Sequence, residues 1–357
     1  MRRWLAPLPA LLLALLSTPV ALVLVAPAQA CACGGVVDQP GGDTSVSGET
    51  AVVVWDGTQE TILLRLSTRS EAVTAGLLVP TPTPATVTLG EEQVFTDLAA
   101  VTVPRTEERR HLFGPPLLFG DDGGDGASAG GPGGGVQVLD TVDLGPLRAT
   151  TLSATDARAL DGWLEKHGYE SSPGLQSAVT PYVDEGWSFV AVQLNAVGQS
   201  LAGTLPPIAM SFASDAAVYP MRMSSAAEET QQPTVYVLAD HRMRRTDAVA
   251  SGSTRPDVSF AGRLAPGEVT SPTLQGWLAT TPYLTATSQW LPDPAQIVTD
   301  FTFARAASDA PYQRVLYDDS YLIPGDLGAL LILLLVAGAV WFVVRLAARG
   351  RHPNGGS

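Results

Sequence analysis

Sulfur is the first source of chemistry the sequence offers. Both cysteines of the 357-residue chain fall in one motif, Cys31-Ala32-Cys33-Gly34-Gly35. Two thiols one residue apart suit a tight local disulfide or inert free thiols, a redox pair, or a sulfur-donor site for a soft ion such as Cu(I). They do not complete the tetrahedral shell of a structural zinc. Lipidation of Cys31 is a further alternative, although lipoprotein signals usually place Leu where this chain has Ala28. The plain reading is a disulfide or inert pair, with no metal and no cofactor.

Other catalytic residue types are sparse. Lys166 is the single lysine, so a phosphate-binding loop of the GxxxxGK[ST] type is excluded and no other residue can form a lysine Schiff base. His111, His167 and His241 are far apart in sequence, and no HExxH helix or Ser-x-x-Lys pair accompanies them. His167 follows a helical pattern and reads as a charge partner for a helix C-terminus. Asp184-Glu185 and Glu228-Glu229 adjoin turns and polar stretches and read as solvated faces. Asp121, Asp122 and Asp125 fail as a calcium loop, because Gly123 replaces a ligand and Pro132 stands where the bidentate Glu belongs. His241, Arg242, Arg244 and Arg245 form the strongest basic cluster. They read as neutralising the protein's own acids, with an acidic partner as the alternative. No catalytic residue is assigned.

Where these residues lie relative to a membrane follows from the two ends. Residues 327–344 form an uncharged apolar run about as long, as a helix, as a bilayer core is thick. Arg345, Arg349 and Arg351 follow it, while Asp318, Asp319 and Asp326 precede it. That bias puts the C-terminus in the cytoplasm. At the other end Arg2 and Arg3 precede a long apolar stretch and the small-x-small site Ala28-Gln29-Ala30, a secretory signal. The expected organisation is a signal over 1–30, an extracytoplasmic domain over 31–324, a transmembrane helix over 327–346 and a tail over 347–357.

Five of the 21 basic residues lie in the signal, the transmembrane segment or the tail, and none of the 35 acids needs to. The exported part therefore has a net charge of about −19, which disfavours nucleic acid as a partner.

Strand-like runs dominate the exported part. Ala51-Val52-Val53-Val54-Trp55 and Thr61-Ile62-Leu63-Leu64-Arg65-Leu66 flank Asp56-Gly57, a dipeptide suited to hairpin turns. Gly76-Leu77-Leu78-Val79 adds a strand, and Pro80-Thr81-Pro82-Thr83-Pro84 predicts an extended exit. Glu91 and Glu92 open a helix with Val94, Phe95, Leu98 and Val101 on one face, closed by Pro104. Residues 120–135 read as a flexible glycine-rich loop, and Ser153-x-x-Asp156 as the capping box of a helix that ends at Gly168. The second half offers strands at 187–194, 208–212, 218–223, 235–238, 258–260, 283–290 and 297–303. The fold class is α+β and β-rich: short, mostly antiparallel strands, a few helices and the C-terminal transmembrane helix. A short stalk over 318–325 would hold the domain close to the bilayer.

Three groups of residues resemble a known family. They are Cys31-Ala32-Cys33-Gly34-Gly35 followed by Glu49-Thr50-Ala51-Val52-Val53-Val54-Trp55-Asp56-Gly57; Leu78-Val79-Pro80-Thr81-Pro82 followed by Phe95-Thr96-Asp97-Leu98; and Tyr182-Val183-Asp184-Glu185-Gly186-Trp187 with Val218-Tyr219-Pro220-Met221-Arg222. The resemblance is to the bacterial domain of unknown function 2330 (DUF2330), and it implies an exported bacterial protein without an assigned activity. The functional expectation is a single-pass, membrane-anchored domain that binds or scaffolds a cell-envelope protein or ligand at the surface. The alternatives are an envelope hydrolase and a thiol or copper protein using Cys31 and Cys33.

Overall fold

The computed structural model describes residues 30–349 apart from 32–33, 43, 114–133, 145–146, 197–199, 228 and 324. The expected signal up to residue 29, Cys33 and the tail beyond Arg349 lie outside the described residues, as do the glycine-rich loop up to residue 133 and Glu228. Gly134 and Gly135, expected in that loop, instead begin the strand Gly134–Leu144.

Two sheets pack face to face, and helices cover both outer faces. The six-stranded sheet runs in the order Ala30–Cys31, Gly34–Asp38, Thr74–Thr81, Ser188–Asn195, Leu147–Asp156, Gly134–Leu144, antiparallel throughout. The nine-stranded sheet is built on the hairpin of Ser45–Trp55 and Gln59–Arg69. It continues through Ile208–Ala213 to Thr86–Leu89 on one side, and through Thr234–Ala239, Tyr283–Ser288 and Asp257–Arg263 to Tyr312–Gln313 on the other. Gly203–Thr204 also pairs with Gln59–Arg69. Its one parallel pair is Ser45–Trp55 with Thr234–Ala239.

The hairpin turn works as its residues predict. Gly57 takes φ of 105°, and Asp56 Oδ1 accepts from the Thr58 and Gln59 amides at 2.9 and 2.8 Å. An unbroken apolar run such as Ala51 to Val54 fits a strand buried on both faces. Ala51 and Val53 join the core between the sheets, with Val190, Val192 and Leu77 opposite, while Val52 and Val54 turn outward.

That outward face is covered by α1 (Glu92–Val101), through Val94, Phe95 and Leu98, and by a short helix, Pro272–Leu278, through Leu274 and Leu278. The six-stranded sheet is covered by Ala157–Lys166 and Pro173–Asp184. In chain order these three are α4, α2 and α3. Fully buried Tyr182, Phe189 and Phe95 sit at the helix–sheet contacts, each contributing roughly 2 kcal/mol or more through burial.

Several boundaries differ from the sequence reading. Pro80 and Thr81 stay in their strand, paired with Phe189 and Ser188. Proline fits there because the neighbour on its other side, Gly34–Asp38, stops pairing at Leu78, so no donor is needed. Asp156, not Ser153, caps α2: its side chain accepts from the Arg158 amide, and Ser153 is still strand, opposite Ser188. Residues 218–223 do not form one strand. Ala217–Tyr219 joins a three-stranded sheet with Phe301–Arg305 and Met243–Arg245, and Arg222–Ala226 turns as a 3-10 helix. Two buried acids secure that sheet to the core, Glu60 accepting from the Val218 amide at 3.0 Å and Glu49 from the Tyr219 hydroxyl.

The stretch ahead of the apolar run, expected as a short stalk, is a paired strand as far as Ile323. Val315–Ile323 pairs in parallel with Arg105–Phe113, giving a two-stranded ribbon about 30 Å long. His111 binds Asp319 at 2.9 Å and stacks on Tyr321. The ribbon runs to the start of α5 (Gly325–Arg349), whose window Leu330–Ala347 has mean hydropathy 2.6 and is fully exposed. Among the described residues it is the one helix long and apolar enough to cross a membrane.

Candidate functional site

A cavity of about 360 Å³ lies between α2 and the outer face of the six-stranded sheet. Its floor follows from strand register. Val37, Gly76, Gln193 and Arg148 stand side by side across four strands, and Leu78, Ala191, Thr150 and Thr141 form the neighbouring row. Its roof comes from α2 and the turn behind it. Ala157, Leu160 and Leu164 recur at helical spacing and seat the helix on the sheet. Trp163 and His167, one turn apart beside that face, border the cavity.

The helix ends in a Schellman motif, and this places the next aromatic. Gly168 adopts φ of 85°, its amide donates to the Glu165 carbonyl, and the Tyr169 amide donates to the Leu164 carbonyl, both at 3.0 Å. Tyr169 is thereby folded back onto the sheet above Gly76. A Cβ at Gly76 would come within 3.2 Å of the Tyr169 ring and 2.5 Å of Val37. The missing side chain is what lets the ring lie flat there.

Two polar groups at this cavity are buried without partners. Tyr169 is 6% exposed and its hydroxyl has no hydrogen-bond partner, and the buried Trp163 Nε1 has none either. Each orphaned group costs on the order of 1–3 kcal/mol unless something else satisfies it. Burial pushes the Tyr169 phenol up to about 12, so it is a proton donor at neutral pH. The Gln193 amide lies near enough to moderate that rise without completing a hydrogen bond. His167 stacks on Trp163 with ring centroids 3.9 Å apart, and its Nδ1 donates to the Trp163 carbonyl at 2.7 Å. His167, expected at a helix C-terminus, caps α2 there and bonds a carbonyl of its last turn, and its ring also braces the indole. Arg148, paired with Asp143 at 2.9 Å, supplies the cation among the lining residues.

Among the described residues that line the cavity, no nucleophile is hydrogen-bonded to a base. Thr141 and Thr150 bond each other at 3.3 Å, and the one histidine ring is engaged by a carbonyl. The arrangement offers apolar walls, two unsatisfied donors and a guanidinium, which is the chemistry of holding a ligand.

The other residues singled out in the sequence are dispersed. Cys31 pairs with Gly34 through its backbone, and Cys33 lies outside the described residues. Among the described residues no three His, Cys, Asp or Glu side chains converge as a metal shell. His111 is on the ribbon, His167 at the cavity, and His241 binds Asp309 at 2.6 Å on the far side of the fold. Glu229 pairs with Arg69 at the surface.

Glu185 is not simply solvated, because Arg222 grips it through two bonds of 2.5 and 2.6 Å. The same Arg222 donates from Nε to Asp300 at 2.7 Å and lies over the Tyr182 ring. Asp300 also accepts from the Tyr182 hydroxyl and from the Met221 amide. Burial works against the Arg222 charge, but Glu185 and Asp300 outweigh it and hold the guanidinium protonated.

Sequence reasoning missed Trp163, Tyr169 and Arg148. The available signal was Trp163 and His167 at i and i+4, followed by Gly168-Tyr169.

The residues of the later family-like blocks, Tyr182, Glu185, Met221 and Arg222, thus meet in one lock around Asp300, buried at Tyr182 and open to solvent at Glu185. No curated protein and no solved structure matches the chain. Residues 27–304 match the model of the family described as an uncharacterized protein conserved in bacteria, DUF2330, and the chain belongs to that family.

Proposed function

We propose that this is a binding protein tethered to the membrane by α5, with the domain outside the cytoplasm, that captures a small ligand in the cavity under α2. The observation that carries the reading is the pair of buried, unpartnered donors, Tyr169 Oη and Trp163 Nε1, at a cavity otherwise walled by Leu78, Ala191 and Val138. The matching ligand has a flat apolar body, a hydrogen-bond acceptor for those donors and a negative group for Arg148. Anchoring rests on the length and hydropathy of α5, and orientation on Arg345, Arg349 and Arg351 after its apolar run.

The test is to purify the full chain from its own membranes alongside Tyr169→Phe and Arg148→Gln, extract bound small molecules and compare them by mass spectrometry. An aromatic or similarly flat acid carried by the wild type and depleted in both variants is the expected result. Identical extracts from all three would contradict the reading. Orientation is checked separately: in intact cells a C-terminal tag should resist added protease while the domain is digested.

A further inference from the structure

We propose a second binding site, for a small multiply charged oxyanion, in the cleft between the three-stranded sheet and the inner face of the nine-stranded sheet near its edge. The cleft has a volume of about 430 Å³ and is lined by Arg242, Arg244, Arg245 and Arg255, with no acidic residue on its walls. In a chain with 35 acids against 21 basic residues, such a collection of one sign calls for a cause.

The four arginines are not equivalent. Arg245 is committed to the fold: Nε and Nη2 donate to Asp247 at 2.6 and 2.7 Å, and the guanidinium lies against the Phe301 ring. Arg242 donates to the Ala310 carbonyl at 2.8 Å. Arg244 and Arg255 are exposed, and among the described residues neither makes an ion pair or a side-chain hydrogen bond. Arg65, Arg69, Arg148, Arg222 and Arg314 all have carboxylate partners, whereas Arg244 and Arg255 have none and share one cleft.

The floor gives an independent indication. Thr285 and Thr287 stand opposite Val237 and Val235 and face inward from the strand Tyr283–Ser288. Thr285 Oγ1 accepts from the Met243 amide at 3.1 Å, whereas the Thr287 hydroxyl, in a residue only 5% exposed, has no partner. A buried donor without an acceptor thus lines the same cleft as two arginines without an anion. A ligand oxyanion completes both, since the planar guanidinium fork matches carboxylate and phosphate oxygens. Met243, Phe303 and Val258 on the walls leave room for an organic body. Phosphate esters and polycarboxylates share this chemistry.

The site is independent of the cavity under α2, so the two can be tested apart. Full-length protein in lipid nanodiscs is titrated calorimetrically with pyrophosphate and with citrate, against sodium chloride at matched ionic strength. At least one oxyanion should bind saturably. The Arg244→Gln/Arg255→Gln double variant should weaken it tenfold or more, Thr287→Val severalfold, and Arg148→Gln not at all. Tighter pyrophosphate assigns a phosphate ligand, and tighter citrate a polycarboxylate. The unpaired, exposed arginines can be changed without loss of a fold contact. Heats no larger than with chloride, equal affinity in the double variant, or loss in Arg148→Gln would overturn the proposal.

Discussion

The two outer faces of the sandwich are covered in opposite ways. On the nine-stranded sheet, α1 and α4 close the surface and satisfy one another. Asp97 accepts from the Thr270 and Ser271 amides at 2.6 and 2.7 Å and from the Thr270 hydroxyl at 2.9 Å, while Glu91 takes the Ser271 hydroxyl at 2.7 Å. On the six-stranded sheet, α2 stands over a cavity and leaves the Tyr169 and Trp163 donors without acceptors. On the first face the polar groups lock the two helices together; on the second α3 is locked through Tyr182 to Asp300, while α2 keeps two donors unpaired over the cavity. The difference separates a helix pair that secures the fold from the helix under which we propose a ligand binds.

The largest effect should come from breaking the locked face. Asp97→Ala strands two amides and a hydroxyl, so it should cost about 3 kcal/mol of stability, read as a lowered thermal midpoint, without altering ligand retention. A loss of ligand in that variant would erase the distinction between the faces.

Acid should act on the two faces with opposite signs. Burial opposes the Asp97 charge, but bonds from Ser271, Gln93 and Thr270 outweigh it and hold the carboxyl below its ordinary value of 3.8; bonds from Ser271 and Thr273 lower Glu91 from 4.5. Their contribution is complete above those unfolded values and is lost as pH falls through the folded ones. On α2 burial raises Asp161 above 3.8, so its cost appears as pH rises through the window between its unfolded and folded values and is relieved in acid. Hydrogen exchange from pH 6 down to about 3 should therefore loosen α4 before α2. The reverse order would break the comparison.

A smaller effect is expected at the cavity itself. Tyr169→Phe removes an unpartnered hydroxyl and keeps the ring on Gly76, so stability without ligand should be unchanged or higher by up to about 1 kcal/mol. A destabilised Tyr169→Phe would show that the hydroxyl serves the fold.

The sequence made much of the scaffold legible. Unbroken β-branched and aliphatic runs with turn chemistry between them gave the hairpin around Asp56-Gly57, and one-sided spacing gave α1 and α2. The helices α3 and α4 went unread although both open with Ser-Pro, Ser172-Pro173 and Ser271-Pro272, with each serine side chain capping and each proline in the first turn. Gly174 and Pro181 in one, and a length of 7 residues in the other, obscured the helical period.

The site was far less legible. Arg148, Trp163, Tyr169 and Gln193 come from four separate elements or turns, and only the register of four antiparallel strands brings their neighbours into a row. The ribbon was hidden for the same reason, since Arg105–Phe113 and Val315–Ile323 are some 200 residues apart and pair in parallel. Charge arithmetic gave the acidic whole, and Arg242, Arg244 and Arg245 were legible as a basic cluster, but only the fold adds Arg255 and the inward threonines to them.

The claim that the cavity under α2 is a ligand site is tested most directly by titrating the full chain in nanodiscs with indole-3-acetate, a flat apolar acid, and following it by saturation-transfer NMR. Saturable binding is expected, weakened tenfold or more by Arg148→Gln and severalfold by Tyr169→Phe, and untouched by Asp97→Ala once allowance is made for its lower stability. Binding that is absent, or that survives the two cavity substitutions unchanged, would contradict the account.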